Sequence, residues 1–372
     1  MKTLTPSYSA ARLPVLLQNL RDRMGGESRR ANARLGYITA PVGQGKLVWI
    51  KAGSDAYSVR LGAELLAALR ERRRDIRLVL TYEQEYPDIL QTALRGVDKM
   101  GFGFGPCDQT RVVKRVLSRL QPLGVIHIER SPGQNLAAAL AENNTKSVVF
   151  PPQIEQDCAV DDVPVDMRTL WVETQLEPTL GGLIRQDSQA ALFWWHGREK
   201  TSVRALLQLW RDSDIGASSY LFVSGKNYED ITEGTDIFSA AVPVYRLSLW
   251  ERQPLPPGAA IVVDDARWRA AVAVAADGIH LQAGDPLDVW QCLASGTPCS
   301  RSGTFVLPKS AETGIKLQEF ENAVDVIESW QNLATQPFEA RQQGDRLRRQ
   351  FWSARRSAAA ALEVLLQQVY DW

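Results

Sequence analysis

The chain is poor in the residues that build metal centres and disulfide frameworks, with three histidines and four cysteines among 372 residues. Cys107, Cys158, Cys292 and Cys299 show no CxxC spacing and no histidine at ligand intervals, which argues against structural zinc. Scattered thiols without an export signal fit a reducing cytoplasm. No run of 18 apolar residues occurs, so no helical membrane span is expected. A cleavable signal peptide is not expected either, because Gln18, Asn19, Arg21 and Asp22 interrupt the apolar stretch near the amino terminus. Net charge is also missing: 43 basic residues balance 43 acidic ones, which speaks against nucleic acid as a partner.

Local charge is less even. Residues 1–40 carry Lys2, Arg12, Arg21, Arg23, Arg29, Arg30 and Arg34 against Asp22 and Glu27, and Leu13, Leu16, Leu17, Leu20 and Met24 recur at helical spacing. Such a basic amphipathic helix suits either the anionic inner face of a membrane or the body of its own protein.

At this length two domains are expected. The first alternates short β-rich runs (LVWI 47–50, IRLVLTY 76–82, GVIHIE 124–129, SVVF 147–150) with helical segments at 58–74, 87–96, 108–120 and 134–142. A second alternation follows an irregular stretch at 151–188: strands at 191–195, 220–225, 242–247, 259–265, 278–281 and 304–308, and helices at 200–211, 266–276, 286–295, 317–331 and 337–370. Alternation of this kind implies right-handed βαβ crossovers and parallel sheets. The expected layout is an amino-terminal Rossmann-like domain over 1–180, a carboxy-terminal one over 190–335, and a helix over 336–372 packing back across them. Ligands in such folds bind at the carboxyl ends of the strands, here in a central cleft between the halves.

The stretch QCLASGTPCS, 291–300, resembles the Glu-x-x-Ala-x-Gly-x-Pro motif of GT-B glycosyltransferases, with Gln291 in place of Glu, then Ala294, Gly296 and Pro298. A helix cap with Gly at C′ and Pro shortly after would look the same. The first 150 residues sharpen the likeness. ARLGYI 33–38, LVWIKAGSDAY 47–57 and the segment from Asp108 through Pro122, Glu129, Asn135 and Leu136 are similar to the lipid A Kdo (3-deoxy-D-manno-oct-2-ulosonic acid) transferases.

That resemblance implies a GT-B α/β fold, a nucleotide sugar as substrate, namely a CMP-linked ulosonic acid, and a glycolipid, saccharide or protein acceptor. It implies no metal and no other cofactor, and no DxD motif stands out. It also implies a cytoplasmic protein, peripheral at the inner face of the inner membrane. The loop after the first strand keeps Ser54, but Tyr57 stands where the family has its general-base Glu and Lys51 stands in place of His. A phenol with a reference pKa near 10 is a poor base at neutral pH. Asp55 then either takes over the basic role or caps the following helix, and Tyr57 becomes a stacking or acceptor-positioning group. Glu129 is an acceptor ligand or auxiliary base, or else the salt-bridge partner of Arg130; Asn135 joins the acceptor side. On the donor side the resemblance points to His196, Glu199, Gly225, Lys226, Asp288, Gln291 and Gly296, with Lys226 as the cation for a donor phosphate. Two alternatives stand beside the transferase: a catalytically silent homologue serving as a binding or assembly subunit in surface-glycan synthesis, and a sugar-nucleotide epimerase.

Overall fold

The computed structural model describes residues 12–151, 166–172, 176–187, 190–197, 200–224, 244–247, 258–263, 265–282, 286–302 and 317–372. The chain divides into two compact units, Met1–Asp162 with Ala360–Trp372, and Val163–Ala359.

In the first unit the elements run α1 (Arg12–Met24), α2 (Ser28–Arg34), β1 (Leu47–Lys51), α3 (Ala56–Arg72), β2 (Arg77–Tyr82), α4 (Pro87–Ala93), β3 (Met100–Phe104), α5 (Thr110–Leu120), β4 (Pro122–Ile128), α6 (Gln134–Glu142) and β5 (Lys146–Phe150). All pairings are parallel, in the order β3-β2-β1-β4-β5. The central strand β1 is apolar on both faces because helices cover both, and Leu47 to Ile50 are fully buried. On one face Val112, Val113, Val116, Leu117 and Leu120 of α5 pack with Trp49 and Val125. Gly36, at φ +84°, lets the chain after α2 lie against α5, where a Cβ would come 3.0 Å from the Val112 carbonyl oxygen.

Helix α1 turns Val15 into this core and leaves Leu17, Leu20 and Met24 in solvent. Its one acid, Asp22, is held by Arg34 at 2.6 Å.

The second unit holds a 3-10 turn (Met167–Leu170), α7 (Pro178–Asp187), β6 (Ala191–His196), α8 (Lys200–Asp212), β7 (Ser219–Ser224), β8 (Val244–Arg246), β9 (Ala260–Val262), α9 (Ala266–Ala275), β10 (Gly278–Leu281), α10 (Pro286–Ser295), β11 (Cys299–Arg301), β12 (Gln318–Glu319) and α11 (Ala323–Thr335). Its seven parallel strands are ordered β12-β11-β10-β6-β7-β9-β8. The last helix, α12 (Pro337–Tyr370), contributes to both units. Leu347 and Phe351 join the second core, while Glu363 pairs with both Arg72 guanidinium nitrogens at 2.5 and 2.6 Å in the first unit. The terminal Trp372 ring lies over Gly124, where no side chain would fit.

Two differences from the sequence reading have physical reasons. Residues 163–180, expected to complete the first domain, count with the second, because the buried Asp166 carboxylate accepts from Trp290 Nε1 at 2.9 Å and α7 packs on α9. The helix expected from 317 starts at Ala323: Gln318 and Glu319 pair with β11 first, and the Asn322 side chain then caps the helix by accepting from Asp325 N at 3.0 Å. The strand expected at 304–308 lies outside the described residues.

Candidate functional site

In an open parallel sheet the ligand crevice forms where the strand order reverses, at the strands' carboxyl ends. In the first unit that point falls between β1 and β4, and the residues there are ionisable. Lys51, Thr81 and His127 are register partners on β1, β2 and β4, so their side chains share one face. Two residues further on, Glu83 and Glu129 flank Gly53.

The backbone around them is well anchored. Glu83 N donates to Gly53 O at 3.0 Å, Glu129 N donates to Phe150 O at 2.8 Å, and Arg30 donates to Glu83 O at 3.2 Å. Glu129 adopts φ +63°, the left-handed region that a residue with a Cβ enters only under constraint, so its side chain leaves the strand's alternation.

The electrostatics of this edge follow from burial. Desolvation raises the Glu83 carboxyl above its ordinary value; Lys51, Arg130 and Arg30 oppose the rise and Asp55 adds to it. His127, 2% exposed, is driven down to about 3, first by burial and then by the Lys51 ammonium, and is therefore neutral at pH 7. Its Nε2 is buried and has no hydrogen-bond partner among the described residues.

Asp55 is the N-cap of α3: its Oδ1 accepts from Ser58 N at 2.9 Å, and Ser58 Oγ in turn accepts from Gly53 N at 2.8 Å. Both halves of the Asp55 alternative therefore remain visible, since capping occupies one carboxylate oxygen. Ser54 offers its carbonyl to the Tyr86 hydroxyl at 3.0 Å, and Tyr57 is half-buried in the first turn of α3. The Asn135 side chain is engaged away from this edge: its Nδ2 donates to Asp108 O at 2.8 Å and its Oδ1 accepts from Thr110 at the same distance. The Asp108 carboxylate accepts from the Asn135 and Leu136 amides at 3.2 and 2.8 Å, clamping the start of α6.

The second unit reverses its strand order between β6 and β10. His196 ends β6: its Nδ1 meets Ser224 Oγ at 2.7 Å, and its Nε2 faces Asp288 Oδ2 at 3.4 Å. Ser224 Oγ also accepts from Trp194 Nε1 at 2.8 Å. The structure thus brings two expected donor residues, His196 and Asp288, together, Asp288 reaching across from the first turn of α10. Gln291 lies one turn further along α10 and is 7% exposed.

Gly296, at φ +73°, ends α10 and leads into β11. It sits against α12, where Arg348 donates to Ser295 O at 2.6 Å, and a Cβ on Gly296 would meet the Arg348 guanidinium at 2.6 Å. Glu199, Gly225 and Lys226 lie outside the described residues.

His280, the register partner of Trp195, lies on the opposite face of the sheet, Nδ1 on Ser300 Oγ at 2.9 Å and Nε2 on Ser302 Oγ at 3.0 Å, with its pKa lowered to about 3 by burial. Among the described residues no group of three or more His, Cys, Asp or Glu is placed to hold a metal ion, and no helix is long and apolar enough to cross a membrane.

Sequence reasoning did not name Glu83, His127, Arg30 or Arg130 as site residues. The signal was there for two of them: His127 lies inside the apolar run GVIHIE, and Glu83 directly follows LVLTY, so both fall at the carboxyl ends of strands. Recognising them as neighbours required the strand order.

No protein-family model matches the sequence, and no curated protein matches it. Among solved structures the chain is similar to UDP-GlcNAc 2-epimerase from Neisseria meningitidis bound to UDP-GlcNAc, with TM-score 0.52 and 8% identity over 87% of this chain and 100% of that one. It is also similar to a glycosyltransferase from Rickettsia africae ESF-5, with TM-score 0.51 and 10% identity over 88% of this chain and 98% of that one. At such identities the likeness is one of fold. The chain has the GT-B architecture, two Rossmann-like parallel-sheet domains with their helices.

Proposed function

We propose that the protein is a glycosyltransferase that uses a nucleotide sugar. The observation that carries this reading is the collection of Lys51, Glu83, His127 and Glu129 at the strand-order reversal of the first sheet, where a core would place apolar residues. Ionisable groups kept at such an edge are what an acceptor-binding and proton-accepting surface requires. The nucleotide sugar belongs to the second unit, at the edge formed by His196, Asp288 and Gln291 with Gly296 behind. Helix amino termini there supply amides for the phosphates.

The sequence likeness to the Kdo transferases favours a CMP-linked ulosonic acid as donor and a glycolipid, saccharide or protein as acceptor, by a scheme that calls for no metal. Exposed Leu17, Leu20 and Met24 beside Arg21 and Arg23, with Asp22 neutralised by Arg34, favour contact of α1 with an anionic membrane surface. Thermal unfolding of the full chain with CMP, UDP or GDP tests the reading. A rise in Tm with one of them is expected, and no shift with any of the three at millimolar concentration would refute it.

A second reading, a homologue that binds without turning over, is favoured by specific observations. Tyr57 stands where the resembling family has its base, Asp55 caps a helix, and the His196 Nδ1 is engaged by Ser224 with Asp288 facing its Nε2. Nucleotide binding with no release of nucleotide from any sugar donor would select it.

A further inference from the structure

We propose that Glu83 is the proton acceptor for the incoming hydroxyl. The assignment rests on the transferase reading above and deepens it. Tyr57 stands where the resembling family has its base, so an active enzyme needs a proton acceptor from elsewhere on the same edge.

Among the acids there, Asp55 spends one oxygen on the Ser58 amide and Asp108 both of its oxygens on the start of α6. Glu83 has a different standing. Its backbone is fixed on both sides, by Gly53 O and by Arg30, while no described residue hydrogen-bonds or ion-pairs its carboxylate. It follows β2 two residues beyond Thr81, the register partner of Lys51, and the Lys51 ammonium acts on both Glu83 and His127, whose Nε2 has no partner among the described residues. A buried ring nitrogen left without a partner beside an ammonium is costly in a core and useful where a polar ligand completes it.

Glu129 lies on the far side of Gly53, two strand spacings or about 10 Å from Glu83 at the backbone. That separation gives the two acids distinct places on one acceptor rather than one shared proton.

The step balances as follows. The acceptor hydroxyl proton passes to the Glu83 carboxylate and the oxygen's electron pair forms the bond to the anomeric carbon. The bond from that carbon to the phosphate oxygen breaks, its pair leaving with the nucleotide phosphate, and Glu83 later returns the proton to solvent. Half-burial favours the protonated form that results and raises the carboxyl above its ordinary value, a rise that Lys51, Arg130 and Arg30 oppose and Asp55 adds to. The acid limb of the rate profile therefore falls above the usual glutamate range.

The test uses the full chain with CMP-Kdo, UDP-GlcNAc and GDP-mannose as donors and a bacterial glycolipid fraction as acceptor, reading released nucleotide, with calorimetry of CMP, UDP and GDP alongside. Glu83→Gln is expected to lower kcat on the order of a hundredfold, to leave the nucleotide Kd within about twofold, and to remove the acid limb. Formate should restore part of the rate to Glu83→Ala. If Glu83→Gln stays within about threefold of the parent, or if Glu129→Gln alone removes rate and acid limb, Glu83 is not the acceptor and the transferase reading survives. A parent chain that releases no nucleotide from any donor overturns both.

Discussion

The carboxyl edges of the two sheets are built alike and finished differently. In the second unit each histidine is closed on its neighbours, His196 on Ser224 and Asp288, His280 on Ser300 and Ser302. In the first unit the corresponding row, Lys51 and His127 with Glu83 above, leaves a buried ring nitrogen without a partner among the described residues. The difference teaches that one edge is a finished scaffold, whereas the other carries polar groups that cost stability unless something binds them.

The largest expected effect is on stability against pH. His127 and His280 both have folded pKa values of about 3, against 6.5 when exposed. Between those values the unfolded chain binds more protons than the folded one, so stability is lost as pH falls from 6.5 towards 3. At about 1.4 kcal/mol per unit this is on the order of 3–5 kcal/mol for each histidine. Thermal unfolding from pH 7 to pH 4 should show a falling Tm, and His127→Leu should flatten the fall in the amino-terminal unit. A flat profile in the parent would break the comparison at its base.

Next in size is the pair of apolar replacements. His280→Leu strips partners from Ser300 and Ser302 and should cost about 1–3 kcal/mol, whereas His127→Leu removes a ring nitrogen that has no partner and should cost less than about 1 kcal/mol. Denaturant unfolding of the two variants reads the difference, and equal losses would show that the two edges are equally closed.

The helix caps should behave alike in both units. Asp55→Ala in α3 and Asp265→Ala in α9, whose Oδ1 accepts from Arg267 N at 2.7 Å, should each lose roughly 0.5–2 kcal/mol in urea melts. A much larger loss of turnover than of stability in Asp55→Asn would return the basic role to Asp55.

The smallest effect belongs to the exposed Arg72–Glu363 pair. Arg72→Ala should shift the unfolding midpoint barely, and less still in high salt, because solvent screens both groups.

Much of the fold was legible in the sequence because the apolar runs and helical stripes carry their own periods. LVWI, IRLVLTY and GIHL became strands, and the stripe of α5 became a buried face. Asp55 and Gly296 were legible as punctuation, one opening a helix and one closing it. What stayed hidden were relations between distant segments. Asp166 joined the second unit by accepting from Trp290 and α7 by packing on α9, and Gln318–Glu319 became a strand only because β11 was there to pair with.

The sequence by itself determined that the chain alternates strand and helix twice, without metal-site cysteine spacing or a helical membrane span, since local periodicity and composition are properties of neighbours along the chain. Only the tertiary structure decided which strand ends meet, and hence that Glu83 and His127, 44 positions apart by number, stand on either side of β1. Strand order is set by which apolar faces bury each other, and no short window of sequence contains that choice.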